Sequence, residues 1–234
     1  MDEQTIHRLN AINREFYRIT AVEFDQTRGQ SWPGWDQLLP YLAVPLHVLD
    51  VGCGNGRFGV FLAEHLDGEI TYRGVDNSPA LLVAAGESLA AHPRLAAQLE
   101  IHDILSALPD TTQYDLIVLF GVLHHVPGTA RRVALLRDLA GRLKPGGLLA
   151  FACWRFYEYS RFKERIQPWP DDLTVEQHDY LLDWRRGAVA LRYCHYVDDA
   201  EHAALTAATG LTEIVTFRAD GFTGDVNRYS VLQK

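Results

Sequence analysis

The run VLDVGCGNGRFG, Val48 to Gly59, constrains this chain more than any other stretch. It reads as the end of a buried strand, a turn with glycine at alternate positions, and the start of a helix. Gly52, Gly54 and Gly56 permit backbone conformations that a Cβ would forbid, and they let a ligand lie against the main chain. A turn of this kind holds a nucleotide-like molecule, and two residues narrow the choice. A pyrophosphate loop needs G-x-G-x-x-G, and its third glycine position is taken here by Arg57. Asp50, two residues before Gly52, repels phosphate and suits a ligand with a positively charged end.

The rest of the chain supplies a sheet to carry that turn. Apolar runs of strand length near 46–51, 70–75, 97–101, 114–120 and 147–153 alternate with helical spacing over Phe58–Leu66, Pro79–Ala91 and Thr129–Leu143. Pro145-Gly146-Gly147 is expected to stop the third helix and turn the chain into the fifth strand. A helix over Asp198–Thr209 and strands over Leu211–Phe217 and Arg228–Gln233 follow. With 234 residues, 47% of them apolar, the chain is expected to form a single α/β domain. Two segments break the alternation, residues 1–44 and 154–196. Ligands bind beyond the carboxyl ends of strands in open α/β sheets, so both are candidates for a lid and for substrate contact, or else cover sheet edges.

Composition limits the partners. Cys53, Cys153 and Cys194 are widely spaced and form no metal-ligand pattern, which points to a reduced, cytoplasmic protein without a metal. The polar start MDEQTIHRLN and the absence of any long apolar run argue against secretion and a membrane. A net charge of −8 opposes nucleic-acid phosphate at long range and favours small molecules.

Further positions extend the ligand site. Asp76 closes the second strand, 22 residues after Gly54, where a carboxylate accepts hydrogen bonds from both ribose hydroxyls; Asn77 follows it, and Asp76 can also cap the next helix. The glycine motif resembles the first motif of class I S-adenosylmethionine-dependent methyltransferases. That resemblance implies a Rossmann-like, doubly wound, seven-stranded and mostly parallel sheet whose last two strands form a hairpin with one antiparallel member. It also implies S-adenosylmethionine as cofactor, with Asp50, Gly52, Cys53, Gly54, Asn55 and Gly56 in the turn and Asp76 and Asn77 on the ribose. Asp103 and Ile104 would take the adenine, and Phe120, Gly121 and Val122 would run past the methionine end. The sulfonium methyl is already activated, so alignment of an acceptor accounts for much of the rate, and a base is optional. His124 and His125 lie on the loop where an acceptor sits; His124 is the stronger candidate for a base or an orienting group, and both can equally hold the loop.

A narrower resemblance comes from the two irregular segments. Thr27, Arg28, Trp32 and Pro33, with Arg192, Tyr193 and His195, are similar to elements of the eukaryotic tRNA methyltransferases that esterify 5-carboxymethyluridine at the wobble position, and Gln167-Pro168-Trp169 is similar to a further element. This resemblance implies a tRNA carboxylate as acceptor, with a small zinc-binding protein as activating partner. Arg28 and Arg192 would then clamp the carboxylate, and Trp32, Tyr193 and His195 would hold a splayed base. Alternatively Arg28 binds the cofactor's own carboxylate. The segment 154–196 carries seven Lys/Arg and seven Asp/Glu, so it is locally neutral, although Arg161, Lys163 and Arg165 cluster. A small-molecule O- or N-methyltransferase is therefore the second reading, and a module that binds the cofactor without turnover is the third.

Overall fold

A computed structural model describes residues 1–26, 29–106 and 112–234. Its centre is a seven-stranded sheet of β1 (Leu46–Val51), β2 (Ile70–Asp76), β3 (Leu95–Ile101), β4 (Tyr114–Phe120), β5 (Leu143–Trp154), β9 (Thr212–Ala219) and β10 (Asn227–Gln233). The order is β3-β2-β1-β4-β5-β10-β9, and β10 runs antiparallel to both of its neighbours. The reversal of order at β1 and β4 opens a crevice at their carboxyl ends. Residues of β1 and β4 are buried on both faces, as parallel strands covered by helices must be.

Alternation along the strands divides the core in two. Val48, Tyr72, Leu116, Val118 and Tyr229 pack under α2 (Arg57–His65), α3 (Pro79–Ala90) and a 3-10 turn at Pro33–Tyr41. Leu49, Val51, Ile117, Leu119 and Phe151 pack under α4 (Thr129–Gly141) and α6 (Asp199–Ala208). No helix among the described residues is long and apolar enough to cross a membrane.

Three expectations change in detail. The third strand starts at Leu95, not at residue 97. The third helix ends at Gly141, before Pro145-Gly146-Gly147, because the Arg142 carbonyl is already drawn to the backbone N–H of Tyr114 at 2.9 Å. The Pro-Gly-Gly run instead makes a bulge inside β5, where pairing jumps from Tyr114–Leu143 to Leu116–Leu148. The largest change concerns the irregular segments. Residues 1–44 contain a 24-residue helix, α1 (Glu3–Gln26). Residues 154–196 contain a short helix α5 (Ser160–Lys163) and a second, antiparallel sheet of β6 (Ile166–Gln167), β7 (Asp179–Arg186) and β8 (Ala188–His195). β7 and β8 turn at Gly187, whose φ of +72° suits a glycine.

Two polar connections fix this added layer. Asn13, buried on α1, accepts a hydrogen bond at 2.9 Å from the backbone N–H of Tyr193 on β8. Behind β8, His195 lies between two carboxylates, with Nδ1 2.7 Å from Asp179 and Nε2 2.6 Å from Glu201. Arg132, fully buried on α4, donates to Glu201 at 2.7 Å and to the Val126 carbonyl at 2.9 Å. Burial opposes the His195 imidazolium, but the hydrogen bonds to Asp179 and Glu201 outweigh it and raise its pKa above the ordinary value. A raised histidine pKa contributes stability that is complete below the unfolded value of about 6.5 and is lost as pH rises through the folded value. Urea denaturation from pH 6 to pH 9 should therefore show the stability difference between the parent and His195→Gln shrinking as pH increases.

Candidate cofactor and acceptor cavity

A cavity of about 450 Å³ opens beyond the carboxyl ends of β1, β2 and β4. The glycine turn forms its floor. Gly52 has φ +73°, and a Cβ there would meet Val122 at 2.4 Å, so only glycine lets the first and fourth strand ends approach this closely. Gly54 has φ +55° with open space above it, which is the surface a ligand needs. Cys53 and Asn55 also line the cavity; the Cys53 thiol packs towards Gly74, while Asn55 donates to Asp25 at the end of α1 at 2.8 Å. Gly56 is turned towards Ala85 of α3 and does not line the cavity.

Two carboxylates lie beside this turn. Asp50 is buried and accepts a hydrogen bond from the Tyr72 hydroxyl at 2.6 Å. Burial pushes its pKa up to about 7, against the Tyr72 hydrogen bond and with help from the negative charge of Asp76. Asp76 accepts from the backbone N–H of Gly54 and of Ser78, each at 2.9 Å, and burial raises its pKa despite those bonds. Each Asp76 oxygen keeps a lone pair for a ligand hydroxyl. The helix cap is made by Ser78, which accepts from Leu81. A buried and a half-buried carboxylate, a hydroxyl-accepting pair of oxygens and an open glycine surface fit a nucleoside with a cationic end, as S-adenosylmethionine has.

Asn77, Ile104, Phe120, Gly121 and Val122 complete the lining on this side. Asp103 does not line the cavity. It accepts from Asn10 of α1 at 2.7 Å and from the backbone N–H of Leu105 at 3.0 Å, so it anchors the helix over the cavity edge. Arg57, at the start of α2, does line it. Its guanidinium lies 4.6 Å from the Trp32 ring and donates to the Gln30 carbonyl at 3.1 Å.

The opposite wall comes from α1 and the added sheet. His124 and His125 line the cavity with ring centres 4.1 Å apart. Nδ1 of His125 lies 3.0 Å from the Tyr193 carbonyl, which only accepts, and Nε2 lies 3.0 Å from the Tyr17 hydroxyl. The Asn13 amide nitrogen also lies 3.2 Å from Nδ1, and burial with the nearby Arg192 charge lowers the His125 pKa to about 3. Ligating atoms of His124, His125 and Cys194 come within 4.8 Å of one another. The His125 nitrogens already have protein partners, and the adjacent Arg192 charge opposes a cation there.

Arg192 projects into this cavity from β8. Its guanidinium carbon lies 4.7 Å from the Trp154 ring, 5.3 Å from Phe16 and 5.9 Å from Trp184. No carboxylate pairs with it among the described residues, and its Nε has no hydrogen-bond partner there. The other acceptor-side expectations divide. Trp32 lines the cavity, but Tyr193 and His195 do not, because Tyr193 donates to Asp179 at 2.8 Å behind β8 and His195 is held by its two carboxylates. His195 is thus a strut of the fold and not part of the cavity wall. Trp169 likewise donates to the Asp179 carbonyl, at 3.2 Å. Thr27 and Arg28 lie outside the described residues. Sequence reading missed Asn10, Tyr17, Trp154 and Trp184 in the lining. The apolar spacing of α1 and the alternation of β7 and β8 about Gly187 were the signals available for them.

Residues 49–149 match the model of a family described as a methyltransferase domain. The chain is 37% identical over 106 residues to the ubiquinone biosynthesis O-methyltransferase of Coxiella burnetii, over 45% of this chain and 42% of that protein. It is 30% identical over 139 residues to the tRNA (carboxymethyluridine(34)-5-O)-methyltransferase of Saccharomyces cerevisiae, over 59% of this chain and 46% of that protein. The chain thus spans less than half the length of these relatives. Among solved structures, a SAM-dependent methyltransferase from Methanosarcina mazei superimposes with TM-score 0.69 at 18% identity, over 88% of this chain and 98% of that one. A SAM-bound amino pentose methyltransferase from Micromonospora echinaspora gives TM-score 0.61 at 19% identity, over 91% and 95%. The match of residues 49–149 to a methyltransferase domain makes that part of the chain similar to methyltransferases, and the whole sheet shares the fold of the S-adenosylmethionine-dependent methyltransferases with which it superimposes.

Proposed function

We propose that the chain methylates the carboxylate of a ring-bearing acceptor, the carboxymethyl group of a tRNA wobble uridine, to give a methyl ester. The observation that carries this reading is Arg192, a guanidinium among aromatic rings without a carboxylate partner among the described residues, in the same cavity as the glycine turn. The similarity to the yeast tRNA enzyme supports the acceptor. The cofactor supplies an activated methyl group on a sulfonium. In this reading Asp76 receives the ribose hydroxyls and Asn77 and Ile104 border the adenosine. Asp50 attracts the ammonium of the methionine end, and Arg57 at the start of α2 receives its carboxylate.

The acceptor carboxylate is ionised at neutral pH, so no base is required. Arg192 fixes both carboxylate oxygens through its forked donors and aligns one of them with the methyl group. His124 orients the acceptor, whereas His125, neutral and bonded on both nitrogens, holds the loop. Tyr17, Phe24 and Trp184 exclude water from the reacting atoms. An activating protein partner belongs to the reading, because a net charge of −8 opposes RNA phosphate. The second reading, a small-molecule O-methyltransferase, is favoured by the identity to the Coxiella ubiquinone enzyme.

Transfer of labelled methyl to tRNA freed of esters by mild alkali, with and without cell extract, tests the function. Alkali-labile label in RNA supports the first reading, and label confined to small molecules of the extract supports the second. Asp76→Ala should weaken S-adenosylhomocysteine binding at least ~10-fold by calorimetry, since each charge-assisted hydrogen bond is worth about 1.5–3 kcal/mol. Affinity should fall as pH drops through about 7, where Asp50 takes up a proton, and this dependence should vanish in Asp50→Asn. Arg192→Gln should lower kcat/KM for the carboxylate acceptor at least ~10-fold while leaving S-adenosylhomocysteine affinity unchanged.

A further inference from the structure

Arg192 begins a series. Its guanidinium lies 4.7 Å from the Trp154 ring, Trp154 meets Phe162 edge-on at 4.8 Å, and Arg161 lies 4.7 Å from Phe162. Arg161 and Arg165 line the same cavity as Arg192, and Arg161 is exposed, so charge alternates with rings from the interior to the mouth. Several arginines elsewhere in this acidic chain are matched by carboxylates, as Arg73 is by Glu100, Arg131 by Glu3, Arg155 by Glu158 and Arg228 by Asp199. Arg161 and Arg165 have no ion pair among the described residues.

The carboxylates that line the cavity do not answer these charges. Asp50 is engaged by Tyr72, and Asp76 by two backbone N–H groups. Asp220 accepts from the Gly34 N–H and Asn227, each at 2.8 Å, and from Tyr229 at 2.5 Å. At its tip the hairpin joining β9 to β10 brings Phe222 to the lining, 96% exposed between Gly221 and Gly224. The lining carboxylates are thus each hydrogen-bonded elsewhere and form no ion pair with Arg161 or Arg165, although the chain as a whole is negative.

We infer that Arg161 and Arg165 form a phosphate subsite at the cavity mouth. It takes a phosphate ester carried by the same molecule whose methyl-accepting end reaches Arg192. Two guanidiniums with forked donors suit the several oxygens of a phosphate, and neither has to leave a protein partner to bind it. The link between this phosphate and a carboxylate at Arg192 rests on the function proposed above; the subsite itself does not.

Calorimetric titration of the intact chain, saturated with S-adenosylhomocysteine, with uridine 5′-monophosphate and with uridine provides the test. The monophosphate should bind at least ~10-fold tighter than uridine, and R161Q/R165Q should remove that advantage. R192Q should retain it, and S-adenosylhomocysteine affinity should be the same in every variant, which shows that each is folded. Equal binding of the two probes, or an unchanged advantage in R161Q/R165Q, overturns the subsite. 5-Carboxymethyluridine separates the two claims: if it binds no better than uridine while the monophosphate result holds, the carboxylate reading fails and the phosphate subsite stands.

Discussion

The acceptor side of this molecule depends on where one guanidinium is held. Arg192 of β8 lies among Phe16 of α1, Trp154 of β5 and Trp184 of β7, so the large sheet, the added sheet and the N-terminal helix all meet at its charge. Cation–π contacts of this kind contribute about 0.5–2 kcal/mol each. A buried donor without a partner costs about 1–3 kcal/mol, a cost of the same order as the stabilisation the rings give, and the rings leave the Nε donor of Arg192 without an acceptor. The fold thus keeps an unsatisfied cation beside the place where chemistry is proposed, and the Asn13 bond to Tyr193 helps to hold α1 against the strand that carries it.

Charge is unevenly spread in the cavity, with Arg57 beside the carboxylates of the sheet end. Asp50 and Asp76 stand at the sheet end, where a cationic cofactor is expected, and Arg192, Arg161 and Arg165 stand on the added layer. Opposite charges on facing walls orient two ligands relative to each other before any contact is optimised. The carboxylates are also kept from neutralising the arginines, because each is hydrogen-bonded within its own wall. His125 shows the same separation: it lies in the cavity, yet it is held neutral by burial and by Arg192 and serves the loop.

The sheet and the cofactor half were legible because their signals are local. A strand, a glycine turn and a helix follow one another within Val48–Gly59, and Asp76 ends the next strand, so spacing alone brings them together. Asp103 lies outside the lining, where its neighbour in space, Asn10, 93 residues away, takes one of its oxygens. His195 lies outside it for a similar reason: Asp179 and Glu201 flank it only after β7, β8 and α6 have packed. The segment 154–196 read as irregular although it contains a hairpin, since its strands bury one side against α1 and β5 and their pattern has no meaning without those partners.

By itself the sequence determined a nucleotide-binding α/β sheet, the turn that a cofactor lies on and the carboxylate that closes the second strand, because those depend on residues adjacent in the chain. Only the tertiary structure decided which side chains line the rest of the cavity. Asn13, Trp154, Trp184, Arg192 and Phe222 are far apart in the chain and come to one cavity through the packing of α1 and the added sheet over the crevice. Burial and charge there depend on that packing, and they separate the Arg192 that lines the cavity from the His195, three residues later, that only supports it.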